Sequence, residues 1–383
     1  MDTLFDRIER TDTEGADYGE PSFLYLNRTA RDHFARMRDI IERWFSKYSE
    51  MHPNDSVELR NRFRSEDDLV HLSALTEFYF HNLLIGSEYL DIQIHPQIKG
   101  TSAHPDFLVS RDGTPVFIAE AVVVYGNPEG KRVERFHYSI LRIVNEVESP
   151  DFLIWVDFVA SDSSVPPKLA NIRKVIMQNI ASLDYEKVCA AYEATKELPQ
   201  WIYDDGPWKI HFSASPVKEE SRKTRREKKA RNVGIIQNPV KWITSDDSIR
   251  RTVLKKAQKY GDQGMPLIVV ANVVEDSFFC DERTILSALF GKETMTFRQY
   301  TDGRTETLPG RDHNGITLKK GGPRYTRLSG LLSLVGLAGS TIELVTPILW
   351  HHPAAKYRLD TSSLKIEHRV YDHVNDRMGS IKP

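Results

Sequence analysis

Three carboxylates in the first third of the chain have the types and order that could hold a divalent cation: Glu77, Asp106 and Glu120. Asp106 stands in His104-Pro105-Asp106-Phe107-Leu108-Val109. Glu120 lies within the apolar run from Pro115 to Val124, and Asp112-Gly113 separates the two stretches. An Asp-Gly between two apolar runs is a hairpin signal. Asp106 is therefore expected to open one strand and Glu120 to lie in the middle of its partner. Both runs are rich in Val, Ile and Phe, which points to a sheet buried on both faces. A carboxylate on such a strand is costly to bury unless a cation or hydrogen bonds compensate it. Two of them, with a third on the helix before, point to a metal site.

The elements that must position these side chains follow from periodicity. Leu69, Leu72, Leu75, Tyr79 and Leu83 give an apolar stripe to a helix over 66–87, with Ser65 as its expected N-cap and Gly86 at its C-terminal end. Glu77 falls off that stripe, aligned with Ser73 and His81. The run 91–98 and the hairpin supply three strands. Val133, Phe136, Ile140 and Val147 mark the next helix, and 152–159 (FLIWVDFV) reads as a buried strand. A right-handed crossover through that helix is the default for such a unit. The order over 66–159 is thus α-β-β-β-α-β.

The constellation resembles the PD-(D/E)xK nuclease superfamily, whose core is the restriction-endonuclease-like fold. That family places an acidic residue on a first helix, Pro-Asp at the start of one strand, and acidic-x-Lys on the next. Here the matching positions are Glu77, Pro105-Asp106 and Glu120-Ala121-Val122, and the resemblance covers residues 66–160. It implies an α/β protein with a restriction-endonuclease-like mixed sheet flanked by helices, an N-terminal helical extension and a C-terminal α+β extension. It also implies Mg²⁺ (or Mn²⁺) held by Asp106, Glu120 and Glu77, since hard cations prefer oxygen ligands. Val122 stands where the family has its lysine. Lys131, at the start of the following helix, is the expected replacement, with Lys99 second. Lys255, Lys256 and Lys259, on a helix expected over 247–260, are expected to be solvated.

Composition bounds the rest. The chain has 383 residues, 40% hydrophobic and 28% charged, with a formal net charge of −2. That is a globular composition with no global attraction for nucleic acid. Cys189 and Cys280 stand apart, without metal-ligand spacing, which fits a reducing compartment. Neither a signal sequence nor a membrane span is expected. The apolar segment 328–350 is interrupted by Glu343 and Pro347 and reads as buried core. A cytoplasmic protein is the expectation. The domains are expected at 1–65 (a helical cap whose first 20 residues form a loose lead-in), 66–275 (the core) and 276–383 (an extension with a polar, strand-poor tail).

Two basic features stand out locally. Arg60, Arg62 and Arg64 precede the Glu77 helix and read as a solvated connector or a phosphate-contacting set. Residues 217–231 hold eight Lys or Arg against three Glu. Arg222, Lys223, Arg225, Arg226, Lys228 and Lys229 are the nucleic-acid-binding candidates, because phosphate contacts need clustered cations. Gly291-Lys292 lacks the glycines of a phosphate loop. Asp312-His313-Asn314 lacks the hairpin and helix that a His-Asn nuclease element requires. His351 and His352 would point to opposite faces of a strand.

The reading that emerges is a metal-dependent nuclease with Glu77, Asp106, Glu120 and Lys131 as its catalytic set. The resemblance implies DNA, or RNA, as substrate, a bacterial restriction, repair or defence setting, and room for a homo-oligomer or protein partner. The alternative is an inactive nuclease-like module that binds nucleic acid or acts as a scaffold, which the absent motif lysine favours.

Overall fold

The computed structural model describes residues 3–382 apart from 90, 99, 101, 126–127, 163, 228–230, 238–244, 275–279 and 373–376. The chain divides into two compact units. The first comprises 1–15, 21–126 and 244–383; the second comprises 16–20 and 127–243 and is inserted into it. These lines cut across the boundaries expected at 65/66 and 275/276.

The first unit begins with helices α1 (Ser22–Arg28), α2 (Asp32–Met51), α3 (Ser56–Phe63) and α4 (Asp68–Gly86), then strands β1 (Asp91–Ile94), β2 (Phe107–Arg111) and β3 (Thr114–Val124). The expected hairpin is there. Arg111 pairs with Thr114, and Asp112 and Gly113 both have positive φ, 51° and 73°. Positive φ at both turn residues is what a tight two-residue hairpin needs, and Asp-Gly tolerates it. The N-terminal segment is not a loose lead-in. Leu4 and Phe5 are buried, and their backbone N–H groups donate to the Glu42 carboxylate.

The second unit follows: α5 (Pro128–Glu146), β4 (Phe152–Ser161), α6 (Leu169–Ala181), α7 (Tyr185–Thr195), β5 (Gln200–Asp204), β6 (Trp208–Pro216), α8 (Glu219–Glu227) and β7 (Val233–Gln237). Its four-stranded sheet has the order β5-β6-β4-β7, with β4 antiparallel to β6 and parallel to β7. Ile154, Val156 and Phe158 of β4 and Trp208, Ile210 and Phe212 of β6 pack with Ile140 and Val144 of α5 and Ile172 and Ile176 of α6. The expected crossover through α5 to β4 in the sheet of β3 therefore does not form. An apolar run reports burial, not which sheet buries it.

The chain then returns to the first unit with α9 (Ser245–Ala257), β8 (Leu267–Val273), α10 (Glu282–Phe290) and the hairpin β9 (Glu293–Gln299) and β10 (Thr305–Arg311). The short pair β11 (Leu318–Lys319) and β12 (Gly322–Pro323) precedes β13 (Leu328–Val335), β14 (Ile348–His351), β15 (Glu367–Asp372) and β16 (Arg377–Ile381). The main sheet is eight-stranded and mixed, ordered β1-β2-β3-β8-β13-β14-β15-β16. β8 lies parallel between β3 and β13, so α9 is the helix that leads into the strand beside β3. Within segment 328–350, most of β13 and Leu337, Ile342, Leu349 and Trp350 are buried as expected, whereas Glu343 and Leu344 are exposed. The residues after 353 are not strand-poor: β15 and β16 complete the sheet, and half of its strands come from beyond residue 276.

Period-2 alternation sorts the side chains of this sheet into two layers. Phe117, Ala119 and Ala121 of β3 join Ile268 and Val270 of β8 in a cluster with Leu72, Leu75 and Phe78 of α4. Ile118 and Val124 join Val269 and Ala271 in a cluster with Ile249 and Val253 of α9. The sheet is thus covered by α4 on one face and α9 on the other. Each fully buried Leu or Phe in these layers contributes about 1.5–3 kcal/mol. Among the described residues, no helix is long and apolar enough to cross a membrane.

Candidate functional site

Glu120 lies on the α9 face of β3 and is completely buried. Asp106 immediately precedes β2. The pairing of Phe107 with Ala119, continued by one step, sets Asp106 opposite Glu120. Directly opposed residues of an antiparallel pair share a face, so the two carboxylates face each other. Asp106 Oδ2 accepts from the Ala121 N–H at 2.7 Å, and its other oxygen lies 3.9 Å from His95 Nδ1. His95 itself has a positive φ of 46°, an uncommon conformation for a residue with a side chain. The Asp106 side chain stays partly open, 15% exposed.

Cations expected to be solvated close the site. Lys256 Nζ donates to Glu120 Oε2 at 2.6 Å, and Lys259 Nζ lies 3.2 Å from Oε1. The Tyr260 hydroxyl donates to the same Oε1 and lies within bonding distance of the His104 carbonyl. Lys256 sits in the last turn of α9, and Lys259 and Tyr260 follow in the turn just after the helix. There the Lys259 N–H donates to the Lys256 carbonyl, so the helix end and its exit turn deliver all three. Lys255 is exposed, as expected; the expectation fails for Lys256, and in part for Lys259, because their side chains reach over the sheet to the buried Glu120 carboxylate. The legible signal was the spacing of Lys256, Lys259 and Tyr260 directly ahead of the apolar strand β8. Lys255 is on a different face of the same helix.

Electrostatics bind these groups together. Burial, then the facing Asp106 carboxylate, pushes the Glu120 carboxyl above its usual range, while Lys256 and Lys259 oppose the shift. Burial pulls Lys256 down, but Asp106 and Glu120 outweigh it, and its ammonium holds its proton more firmly than an ordinary lysine. Val122 shares the Glu120 face, as expected, and packs into the apolar layer beneath α9. A lysine does reach this face, from α9 rather than from position 122. Lys99, and the side chain of Lys131 on α5, lie outside the described residues.

Glu77 meets a different partner. Its helix starts at Asp68, capped by Asp67, whose Oδ1 accepts from the Leu69 N–H at 2.8 Å. Ser65, the expected cap, accepts from the Asp67 N–H instead. Glu77 is buried, and both its oxygens accept from Arg62 of α3 at 2.7 Å, a bidentate pair. Burial raises the Glu77 carboxyl above its usual range against the pull of Arg62, and the charge of Asp106 adds to the rise. Arg60 donates to the Thr3 carbonyl, and Arg64 to the Leu4 carbonyl and to Asp6. These three arginines are not a solvated connector; they staple α3 to the N-terminal segment and to α4.

The basic run of the second unit is also partly spent. Arg222 and Arg226 pair with Asp151 at 2.8 and 2.9 Å, and Arg222 stacks on Tyr185. Arg225 donates to the carbonyls of Ser149, Pro150 and Arg231 and to Asn232. Lys223 is exposed, and Lys228 and Lys229 lie outside the described residues. The three arginines expected to contact phosphate thus also anchor α8.

Among the described residues, no group of three or more His, Cys, Asp or Glu side chains is arranged to hold a metal ion. The oxygens that suit a hard cation are those of Asp106 and Glu120. Each ionised carboxylate offers about four lone-pair sites, more than the donors described here use. The pair therefore fits a cation that keeps most of its waters, as Mg²⁺ does. A cavity of about 810 Å³, lined by Phe290, Met295, His313 and Tyr371, shares no residue with this cluster. No protein-family model, curated protein or solved structure matches this chain.

Proposed function

We propose that the first unit is a metal-dependent nuclease centre built on a restriction-endonuclease-like core, with Asp106 and Glu120 as metal ligands and Lys256 in the role of the missing motif lysine. The observation that carries this reading is the salt bridge from Lys256 to Glu120 across the face that Asp106 shares. The order α4-β1-β2-β3-α9-β8 also supplies the α-β-β-β-α-β succession, once the inserted unit is set aside. Mg²⁺ bound there would act as a Lewis acid on a phosphoryl oxygen and lower the pKa of a bound water. Lys256 would orient the attacking water and balance charge gathering on the phosphate, a task suited to an ammonium held protonated. Lys259 and His95, both partly exposed, line the approach for a phosphate. Arg62 and Glu77 hold α3 and α4 in place and do not touch the reacting atoms.

A second reading has its own observation. Both Glu120 oxygens are already engaged by Lys256, Lys259 and Tyr260, which neutralises the carboxylate without a metal. That favours an inactive module that binds nucleic acid. The deciding experiment measures Mn²⁺- and Mg²⁺-dependent cleavage of plasmid, linear and single-stranded DNA and of RNA by wild type, Glu120→Gln and Lys256→Met. Cleavage by wild type, lost in both variants, supports the enzyme. Metal binding without cleavage of any substrate hands the case to the inactive module.

A further inference from the structure

The sheet of the second unit covers one face with α5 and α6 and leaves the other without a helical layer among the described residues. On that other face, alternation places Trp155, Asp157 and Val159 of β4 beside His211 and Ser213 of β6 and Gln200 and Ile202 of β5. Asp157 lies directly opposite His211, Trp155 opposite Ser213, and Gln200 on the far side of Ser213. Opposed residues bring their side chains within about 5 Å at Cβ, so these groups form one patch on the central strands. A cavity of about 210 Å³ opens there, lined by Trp155, Asp157, Gln200, His211 and Ser213. It is smaller than the 300–1,000 Å³ typical of drug-sized ligands. One planar ring system is the natural occupant.

Two features set the patch apart from ordinary sheet surface. The indole of Trp155 lies against β7 because position 234 is glycine. A Cβ there would come within 2.9 Å of the indole Cδ1 and Nε1, so any side chain displaces the ring. In addition, Trp155 Nε1 and His211 Nε2 are buried and have no hydrogen-bond partner. Buried polar atoms are almost always paired, and an unpaired one calls for an explanation. His211 lines the cavity, and a turn of its ring on ligand entry would carry the buried Nε2 to a ligand polar atom.

We infer that this patch is a nucleobase-binding site that stacks one base on Trp155 and reads its edge with Asp157 and His211, with guanine as the preferred base. An ionised carboxylate accepts hydrogen bonds only, so Asp157 selects a base that presents adjacent N–H groups. Guanine carries a ring N–H beside its exocyclic amine, and its O6 accepts from a donor such as His211 Nε2. Adenine and the pyrimidines lack that pairing of donors with a neighbouring acceptor. Exposed Ile202 and Val159 extend the platform on either side, as a strand running across the sheet requires. The inference rests on the nucleic-acid reading only for the idea that the base belongs to a polymer.

The test is titration calorimetry without metal, using wild type and the Lys256→Met protein, so that loss of hydrolysis leaves the result untouched. The probes are GMP, AMP, CMP and UMP, and an oligothymidylate carrying one central dG or dA. GMP and the dG strand are expected to bind in preference to the others. Saturation by GMP at affinity equal to that of the strand identifies a free nucleotide as the ligand; much tighter binding of the strand identifies a polymer. Trp155→Ala is expected to weaken binding between roughly 5-fold and roughly 150-fold, the range for loss of one base stack, and Trp155→Phe to retain part of it. Asp157→Asn is expected to abolish the preference for guanine, and Gly234→Ala to weaken binding with Trp155 intact. Circular dichroism confirms folding of each variant, and Trp155→Phe and Asp157→Asn keep the test open if Trp155→Ala unfolds. No binding of any probe by folded wild type, or equal affinity for all four bases in wild type and Asp157→Asn, overturns the inference.

Discussion

Lys256 and Glu120 lie 136 residues apart in sequence, and their charged atoms meet at 2.6 Å. One is at the end of α9 and the other in the middle of β3, on the face that α9 covers. Removing one partner of a buried pair strands the other and typically costs about 3–5 kcal/mol, whereas removing both with apolar residues is often neutral. Lys256→Met should therefore lower stability in urea unfolding. Lys259 and Tyr260 remain beside Glu120, so the loss should fall at the lower end of that range. Lys256→Met combined with Glu120→Leu should recover most of it while staying inactive. If the double variant is as unstable as the single one, the bridge is not the source of the stability.

Arg62 and Glu77 make the matching pair on the α4 side of the sheet. Arg62→Ala should destabilise the first unit by about 3–5 kcal/mol because it leaves Glu77 buried without its cation. Glu77→Gln should cost less, since a neutral amide can still accept from Arg62. Neither change should alter Mn²⁺ affinity measured by calorimetry, whereas Asp106→Ala should abolish it. A loss of Mn²⁺ affinity in Glu77→Gln as large as in Asp106→Ala would return Glu77 to the ligand set.

How far these relationships could be read in advance follows from their range in sequence. The Asp112-Gly113 turn, the strands beside it and the mutual facing of Asp106 and Glu120 rest on contacts between near neighbours, where period and turn chemistry suffice. Glu77 could be placed on its helix, but its partner could not be named. The partner comes from α3, and the arginine run before it resembles any polar connector. The run FLIWVDFV was legible as a buried strand, yet nothing in it tells β3 from β6 as a neighbour, so the insertion of a second unit was missed. Lys256 lay furthest from view. Lysines on an amphipathic helix usually snorkel into water, whereas this one reaches a buried carboxylate from the last turn of α9.

Acid should weaken the first unit through its buried histidines. Burial, then the neighbouring His52, pushes His81 down to about 3 from an ordinary 6.5. Burial, then the neighbouring His368, pushes His351 down to about 4. A base whose pKa is depressed by folding binds fewer protons in the native state than in the unfolded one. Its contribution is therefore complete above pH 6.5 and is lost as pH falls from there toward 4 for His351 and toward 3 for His81. Each group contributes a slope of at most about 1.4 kcal/mol per pH unit. Glu77 and Glu120, raised by burial, act in the opposite sense above their ordinary range, so the comparison must be between variants. Urea unfolding at pH 7.5, 6.0 and 5.0 should show a shallower decline in His81→Gln and in His351→Gln than in wild type. Parallel declines in all three proteins would remove these histidines from the explanation.

The arginines of α8 are expected to matter to folding and not to nucleic acid. Arg222 and Arg226 hold Asp151 well below the usual carboxylate range, through hydrogen bonds and charge, and Arg225 ties the same helix to Ser149, Pro150 and Asn232. A guanidinium engaged in that way has little left to offer a phosphate, and freeing it would cost the anchor. Each phosphate contact adds about −0.9 to the log–log salt slope of binding to duplex DNA. Arg222→Gln and Arg226→Gln should leave the slope measured on folded protein unchanged and lower the melting temperature of the second unit. Lys223→Gln, at an exposed position of the same helix, should leave the melting temperature unchanged. The measurement is fluorescence anisotropy of labelled duplex DNA between 50 and 200 mM salt, beside a thermal melt of each variant. A slope flattened by about 1.8 in the Arg222→Gln, Arg226→Gln double variant, with its melt intact, would show that these two arginines do face phosphate.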